Sequence, residues 1–299
     1  MYLVISREDP KRHPILKALL SHIGLHNYEL TKPRLTLWMK QRQIIICDPI
    51  SALLTLTKID YFFCLEMYEY QVDNNSVRNK LRNIFYKLCL HYALLKSQNI
   101  IFPNELRANY YQKKYNLAEK EIYVIKNYPS RYVKKLIASH RPVDRQYFTI
   151  FAGTINTSNR GLNVFLKLAQ HYPEKKFAIC GQLAKIELID TLPDNTQYMG
   201  HLSNEEYLQV LQQTENAFLY YSNDNLNTRY CASVKLYEYL LSGCGIISNT
   251  NESILLEKEL IRYWINDNGK ISQNKSHDPK AVKLEMSHTY ETQLTAVIK

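Results

Sequence analysis

The sequence predicts an α/β protein made of two doubly wound parallel sheets. Short apolar runs alternate with stretches of helical periodicity along almost the whole chain, as parallel strands and their crossover helices require. The alternation pauses in a polar, charged stretch around Pro142 and restarts at Tyr147. A length of 299 residues also favours two domains over one.

In the first half, apolar runs that end in turn residues predict strands, and amphipathic stretches predict helices. The predicted strands are Tyr2–Ile5, Gln43–Cys47, Tyr61–Leu65, Asn99–Phe102 and Ile122–Ile125. The predicted helices are Ile15–Ile23, Ser51–Thr57, Asn75–Leu95 and Glu105–Tyr115.

The second half repeats the same order. The predicted strands are Phe148–Ala152, Lys176–Cys180, Gln197–Met199, Asn216–Tyr221 and Gly245–Ser248. The predicted helices are Gly161–His171, Asn204–Thr214, Ser233–Leu241 and a last one within Met286–Lys299. We therefore predict Rossmann-like domains over residues 1–143 and 144–285, with the helix at 286–299 returning to the first. A ligand site is expected in a cleft between them, the usual place in such proteins.

Composition narrows the choice of partner. The net charge of +10 favours an anionic partner: a nucleic acid, a phosphorylated small molecule or an acidic membrane face. The 24 tyrosines and the basic clusters suit the headgroup region of a bilayer. No sequence motif of an RNA- or DNA-binding domain is present, so we expect no nucleic-acid partner.

The cysteines and the amino terminus indicate the cellular compartment. Six cysteines are scattered without a CxxC pair or zinc-ligand spacing, so they are expected to be reduced and mostly buried. The chain has no uninterrupted apolar run long enough to span a membrane and no secretory signal at its start. A cytoplasmic protein is expected, peripheral on the inner face of the cell membrane if it binds lipid.

The segment from Arg229 to Ser248 carries the strongest functional indication. Lys235 and Glu238 lie three residues apart at the start of a predicted helix and so share a face. That helix begins at the carboxyl edge of the predicted sheet, where α/β proteins bind ligands. A lysine beside helix N–H groups binds phosphate, and a carboxylate accepts hydrogen bonds from a ribose diol. A surface ion pair would explain the same spacing.

The loop after the strand Phe148–Ala152 adds a second cation. It reads AGTINTSNRG, and its Arg160 precedes the helix at Gly161. Small residues at a strand end allow close backbone approach, and a guanidinium binds phosphate oxygens through two parallel hydrogen bonds. A solvent-facing arginine at a helix start is the alternative.

Taken together, these segments carry a resemblance to a known family. Residues 151–173, 177–181, 198–222 and 235–248 resemble the carboxyl-terminal domain of retaining glycosyltransferases of the GT-B fold, family 4 type. The amino-terminal half resembles the same family more loosely. The resemblance implies a donor domain over 144–285 and an acceptor-side domain over 1–143. It also implies that Arg160 and Lys235 act in catalysis by offsetting the leaving diphosphate, and that Glu238 holds the donor ribose.

The resemblance extends to further positions. It implies a donor site that also includes Gly153, Thr154, Gly181, Gly200, Tyr230 and Leu236. The candidates for acceptor contact are Arg12, His13, Asp48 and Glu69. Asp48 has a second interpretation, because an aspartate just before a helix often caps it.

Three departures from the family pattern bear on activity. Tyr230 stands where the first glutamate of the family's E-x7-E motif is found, so the contact to the transferred sugar must differ. Thr154 replaces an arginine that relatives carry, which leaves Arg160 as the cation of that loop. Tyr68 stands where some relatives have a histidine, next to Glu69.

The resulting prediction is an enzyme that moves a hexose-type sugar, with retention of configuration, from a UDP- or GDP-type nucleotide diphosphate sugar to an acceptor. The acceptor is expected to be a glycan or lipid-linked glycan of bacterial surface polysaccharide synthesis, such as lipopolysaccharide or capsule. The chain contains no Asp-x-Asp pair, so no metal and no other cofactor is expected.

Two other functions compete with the prediction of a glycosyltransferase. A catalytically silent relative that binds nucleotide or glycan as a partner subunit is suggested by Tyr230 and Tyr68. A nucleotide-sugar epimerase would need acid/base carboxylates and histidines together, and the sequence shows no convincing set.

Overall fold

The chain forms two compact units. The computed structural model describes residues 2–5, 19–20, 28–31, 43–53, 55, 58–65, 77–139, 144–155, 160–182 and 192–298. One unit comprises Met1–Ser130 with Tyr290–Lys299, and the other comprises Arg131–Thr289. The boundaries inferred from sequence were 143/144 and 285/286. The first lies later in the chain than the division at Ser130 because the helix Arg131–Ser139, which was not predicted, belongs to the second unit.

The first unit is built on a six-stranded sheet. Its order is β2-β1-β3-β4-β5-β6, and every pair is parallel. The strands are β1 (Tyr2–Ile5), β2 (Tyr28–Thr31), β3 (Gln43–Ile46), β4 (Ile59–Phe63), β5 (Ser97–Phe102) and β6 (Glu121–Val124). Its helices within the described ranges include α1 (Pro49–Leu53), α2 (Val77–Lys96) and α3 (Glu105–Tyr115).

The carboxyl-terminal helix lies in the core of this unit. Tyr290 and Leu294 are fully buried and pack in one cluster with Val4, Ile45 and Phe63. The side chain of Gln293 also bonds to both backbone groups of Lys126, at 3.2 Å each. The end of the chain is thereby fixed to strands from its beginning.

The second unit is built on a seven-stranded sheet. Its order is β13-β12-β11-β10-β7-β8-β9. All pairs are parallel except β12 with β13. The strands are β7 (Tyr147–Ala152), β8 (Phe177–Cys180), β9 (Thr196–Tyr198), β10 (Thr214–Leu219), β11 (Gly245–Ser248), β12 (Tyr263–Ile265) and β13 (Ile271–Gln273).

The helices of the second unit connect these strands. In chain order they are α4 (Arg131–Ser139), α5 (Leu162–His171), α6 (Asn204–Gln212), α7 (Leu226–Arg229), α8 (Val234–Leu241), α9 (Glu252–Leu255) and α10 (Pro279–Glu285), and α11 (Tyr290–Val297) then enters the first unit. Aromatic rings of Phe151, Phe165, Phe177 and Phe218 form the centre of the core, with centroids 5.3–5.7 Å apart. This packing fixes β7 and β10 as the central strands.

Several elements differ from the prediction. Strand β10 starts at Thr214 rather than Asn216, because Thr214 pairs with Tyr147 while the helix before it ends at Gln212. The predicted helix Ser51–Thr57 instead begins at Pro49. The prediction missed β2, α4, α7, α9, α10 and the hairpin of β12 and β13. Most of these are three or four residues long, which is too short to show a reliable periodicity. The predicted helix Ile15–Ile23 lies largely outside the described residues.

Candidate functional site

Three glycines end neighbouring strands of the second sheet. Gly153, Gly181 and Gly200 follow β7, β8 and β9 and have φ of +117°, +129° and +72°, a region in which only glycine is unstrained. The amide of Gly153 donates to Cys180 (2.9 Å), and the amide of Gly181 donates to Gly200 (2.7 Å). A Cβ atom on Gly181 would overlap the carbonyl oxygen of Gly153. The carboxyl ends of these strands therefore pack backbone against backbone.

The side chain of Lys235 lies across this edge. Its Nζ donates to the carbonyl oxygen of Ala152, the last residue of β7, at 2.5 Å. A Cβ atom on Gly153 would overlap the same Nζ. The glycine after β7 thus leaves the space that the ammonium group occupies.

The electrostatic surroundings of Lys235 leave its charge poorly compensated. Burial lowers the pKa of Lys235 to about 8 and outweighs the attraction of Glu238 and Cys180, while the neighbouring positive charge of Arg160 lowers it further. A bound anion would restore the preference for the protonated form. The position is therefore suited to receive a phosphate group.

Glu238 lies one helical turn after Lys235 and is also half-buried. The hydroxyl of Tyr207, on α6, donates to its Oε2 at 3.3 Å. Burial raises the pKa of Glu238, and the charge of Lys235 and the Tyr207 hydrogen bond partly oppose this. The remaining carboxylate oxygen is a suitable acceptor for a ligand hydroxyl.

Arg160, in the loop after β7, lies near the start of α8, the helix that carries Lys235 and Glu238. Its guanidinium carbon lies 4.5 Å from the ring centroid of the buried Tyr221, within the range of a cation–π interaction. The hydroxyl of Tyr221 donates to Oγ of Ser233 at 2.8 Å. Ser233 is the residue before α8, and its side chain makes no capping bond to the first turn. Tyr221 thereby connects Arg160 to the start of the helix that carries Lys235.

The other predicted donor residues are placed as follows. Thr154 is exposed after Gly153. Leu236 is buried (3% exposed), so only its backbone can face a ligand. Tyr230 follows the short helix α7, in a region that the sequence had indicated as loop, and its amide donates to Leu226 at 3.0 Å.

Of the acceptor-side candidates, only Asp48 lies within the described residues. Its carboxylate accepts from the backbone N of Ser51 (2.9 Å) and from Oγ of Ser51 (2.5 Å). These bonds show Asp48 as a cap of α1, the second of the two interpretations given above. Arg12, His13 and Glu69, with Tyr68, lie outside the described residues.

Sequence reasoning missed the tyrosines around the cations. Tyr207 hydrogen-bonds to Glu238, Tyr221 stacks on Arg160, and Tyr198 donates to the carbonyl oxygen of Gly181 at 2.9 Å. With 24 tyrosines in the chain, nothing in the local pattern distinguishes these three. All six cysteines are free and buried, as predicted, and burial raises the pKa of Cys180 to about 11.

Comparison with known proteins identifies the fold. Neither a protein-family model nor a curated protein sequence matches the chain. Solved structures do match over nearly its whole length. The glycosyltransferase AviGT4 of avilamycin A biosynthesis has a TM-score of 0.55 at 9% identity, covering 99% of this chain and 95% of its own. An α-glucosyltransferase in complex with UDP-glucose and DNA gives 0.54 at 11%, covering 98% and 94%.

A third similar structure is WaaG, a glycosyltransferase involved in lipopolysaccharide biosynthesis. Its TM-score is 0.52 at 10% identity, covering 98% of this chain and 92% of WaaG. The predicted fold class is confirmed: the chain has the GT-B fold of glycosyltransferases, with two Rossmann-like units.

None of the helices within the described residues combines the length and the apolar composition needed to span a bilayer.

Proposed function

We propose that the protein is a glycosyltransferase that uses a nucleotide diphosphate sugar of the UDP or GDP type. The observation that carries this proposal is the position of Lys235. Its ammonium lies in the space left by Gly153 at the carboxyl edge of a GT-B fold, and burial lowers its pKa to about 8 despite the neighbouring Glu238. A bound diphosphate adds negative charge beside the ammonium and so favours its protonated form.

The geometry suggests how the residues divide the work. Lys235 and Arg160 stabilise the negative charge that develops on the leaving diphosphate, with the first-turn N–H groups of α8 beside them. Glu238 accepts hydrogen bonds from the donor ribose. Because these groups are cations and helix N–H groups, stabilisation of the leaving group needs no metal ion.

The reaction proposed is transfer with retention of configuration, as the resemblance to family 4 implies. Front-face displacement fits the site, since the donor phosphate can take the proton of the acceptor and no protein nucleophile is needed. Proton NMR of the first-formed product would show the anomeric configuration, and an inverted product would reject this part of the proposal.

The donor proposal is tested by thermal shift with UDP, GDP and their sugar conjugates. We expect at least one nucleotide to raise the melting temperature, and Lys235→Ala and Glu238→Ala to reduce the shift. The exposed Lys283 on α10 offers a matched control, and Lys283→Ala should respond as the unaltered protein does. Undiminished turnover by both site variants would reject the proposal.

A catalytically silent binding protein is the second candidate, and Tyr230 in place of a carboxylate favours it. The two are separated by incubating donor with a panel of glycan acceptors. Nucleotide binding without transfer or donor hydrolysis would support the silent protein.

We further propose that the acceptor is a glycan or lipid-linked glycan and that the protein binds the cytoplasmic face of an anionic membrane. Helix α2 supports this. Large apolar side chains with exposures of 45–74% line it at i, i+4, i+7, i+8 and i+11 spacing: Val77, Leu81, Ile84, Phe85 and Leu88. The same helix carries five cations and no acidic residue.

This combination matches a helix that lies in the headgroup region of a bilayer. Two copies of α2 packed together would instead bring like charges close, which opposes self-association. Anionic lipid covers the apolar stripe and neutralises the cations at once. Bacterial surface polysaccharides, lipopolysaccharide and capsule among them, are assembled on such lipid-linked acceptors, and we propose this as the biological context.

Co-sedimentation with vesicles tests the membrane proposal. Vesicles rich in phosphatidylglycerol should bind the protein at low salt, and pure phosphatidylcholine vesicles should bind much less. Leu81→Asp should weaken binding, whereas Leu284→Asp, at an equally exposed position on α10, should not. Failure to bind anionic vesicles at low salt, or a concentration-dependent dimer that Leu81→Asp dissociates, would overturn the proposal.

A further inference from the structure

A pocket of about 590 Å³ lies farther along the carboxyl edge of the second sheet, beside β10, β11 and β12. Its walls come from the residues that follow β10, β11 and β12 and from β13. Tyr220 and Trp264 supply aromatic surface, while Asp224, Asp267 and Lys270 supply charge. The volume lies within the range of pockets that bind small molecules.

The Trp264 wall of the pocket lies away from the phosphate position at Lys235, whereas the near wall, Tyr220, packs against Gly161 beside Arg160. In the sheet, β12 is three strands away from β7, which corresponds to roughly 14 Å at the usual strand spacing. A phosphate bound beside Ala152 would therefore not contact Trp264. The signs of charge differ as well, since the pocket has two carboxylates and one ammonium, a balance that disfavours phosphate.

The wall between β12 and β13 is held in place by helix α5. Nζ of Lys167 donates to the carbonyl oxygen of Asp267 at 2.9 Å. Nε2 of His171 lies 2.9 Å from the carbonyl oxygen of Asn268. Gly269 has φ of +76°, and a Cβ there would press on the backbone of α5. The loop is thus braced at three successive residues, which makes it a preformed wall.

The facing wall is ordered in the same way. Tyr220 donates from its hydroxyl to Oδ1 of Asp267 at 3.1 Å, and burial with this carboxylate raises the pKa of Tyr220 to about 12. A Cβ on Gly161 would overlap the ring of Tyr220, so the ring is confined from behind. The phenol therefore stays protonated and fixed beside the pocket.

Three polar side chains at the pocket are open to a ligand or to solvent within the described part of the chain. Among the described residues, none hydrogen-bonds to the indole N–H of the half-buried Trp264 or to the side-chain ends of Lys270 and Ser272. Trp264 and Ser272 are cross-strand partners. A ligand that offers both hydrogen-bond acceptors and donors beside an apolar face would satisfy this wall.

We propose that this pocket binds an uncharged sugar unit of a glycan. A pyranose ring offers a C–H face for the aromatic surface and hydroxyl groups that donate to carboxylates and accept from the indole and the ammonium. The assignment rests on the proposed function in taking that glycan as part of the acceptor. Binding here holds the acceptor by a unit other than the one that reacts.

The test follows the indole N–H signals by NMR. The chain has two tryptophans, so Trp264→Phe identifies the signal of Trp264. Maltose, lactose and N,N′-diacetylchitobiose are titrated into the millimolar range, with UDP and UDP-glucose as separate arms. We expect at least one disaccharide to shift the Trp264 signal and Trp264→Ala to weaken its binding about tenfold, with UDP affinity unchanged.

The separate titrations with disaccharides and with nucleotides distinguish this inference from the donor proposal. If a disaccharide shifts Trp264 while no nucleotide binds, the donor proposal fails and the sugar pocket stands. If UDP binds but no disaccharide moves the Trp264 signal, or only the nucleotides do, the sugar pocket is overturned. If Trp264→Ala does not fold, Ser272→Asp replaces it as the test variant. This substitution fills and charges the pocket from an exposed edge position. Undiminished disaccharide binding by Ser272→Asp would also refute the sugar pocket.

Discussion

The lowered pKa of Lys235 predicts that nucleotide binding is coupled to proton uptake. In the free protein this pKa is about 8, against an ordinary value of 10.5. A diphosphate beside the ammonium favours the protonated form, so the pKa rises on binding. Affinity should therefore be constant between the range in which Glu238 becomes protonated and pH 8, and it should fall above pH 8 because deprotonation of the free site competes with binding.

The size of the effect follows from the two values. If the bound state regains a pKa of about 10.5, affinity at pH 9.5 should be about 30-fold weaker than at pH 7, or ~2 kcal/mol. At pH 9 the free side chain is mostly neutral and the bound one charged, so complex formation should take up about 0.9 proton.

Isothermal titration calorimetry with UDP measures both quantities. Repeating the titration at pH 9 in buffers of different ionisation enthalpy gives the number of protons taken up. Lys235→Met should bind more weakly and lose the uptake, whereas the control Lys283→Ala should retain both. Equal affinity at pH 7 and 9.5, or an unchanged proton uptake in Lys235→Met, would refute the assigned role of Lys235.

Four further predictions concern the same fold. Without nucleotide, Lys235→Met should stabilise the protein to urea by at most ~3 kcal/mol. The pKa of Lys235 is lower in the folded protein than in the unfolded chain, so the gain in unfolding free energy is full below pH 8 and declines toward pH 10.5. A gain that stays constant between pH 8 and pH 10.5 would argue against burial of the charged lysine as its cause. Gly153→Ala, at φ +117° and against Lys235, should cost roughly 1–3 kcal/mol and most of the nucleotide affinity. Tyr207→Phe removes a bond that lowers the pKa of Glu238, so the loss of nucleotide affinity on acidification should begin at higher pH, as titrations from pH 7 downward would show. Asp48→Ala should cost about 1 kcal/mol of stability in urea denaturation.

The elements that carry clear periodicity could be predicted from sequence. Helix α3 and strand β11 have the bounds that the pattern indicated, and most other long elements shift by one or two residues. The hairpin of β12 and β13 could not be predicted, because three-residue strands carry too few side chains to show alternation. Helix α4 was missed for a different reason. Its three basic residues interrupt the apolar pattern, and only Ile137 is buried on it.

The candidate site divides in the same way. Lys235 and Arg160 could be proposed from the sequence because the order of predicted strands and helices places both cations at the carboxyl edge of one sheet. The Tyr221 ring under Arg160 and the Tyr207 bond to Glu238 depend on packing between distant segments. Such contacts have no local pattern, so a single sequence does not reveal them.

The charges along the sheet edge give the second unit two distinct recognition surfaces. At the ends of β7 and β8, glycines remove side chains and Lys235 supplies positive charge over bare backbone. At the ends of β10 and β12, large aromatic and carboxylate side chains fill the corresponding positions. We propose that a diphosphate binds the first surface and an uncharged sugar the second. Tyr230, which stands where the resembled family has a carboxylate, lies in the segment after β10 and before α8. On the proposed function, Tyr230 therefore affects the choice of sugar, whereas Lys235 and Arg160 bind the nucleotide phosphates.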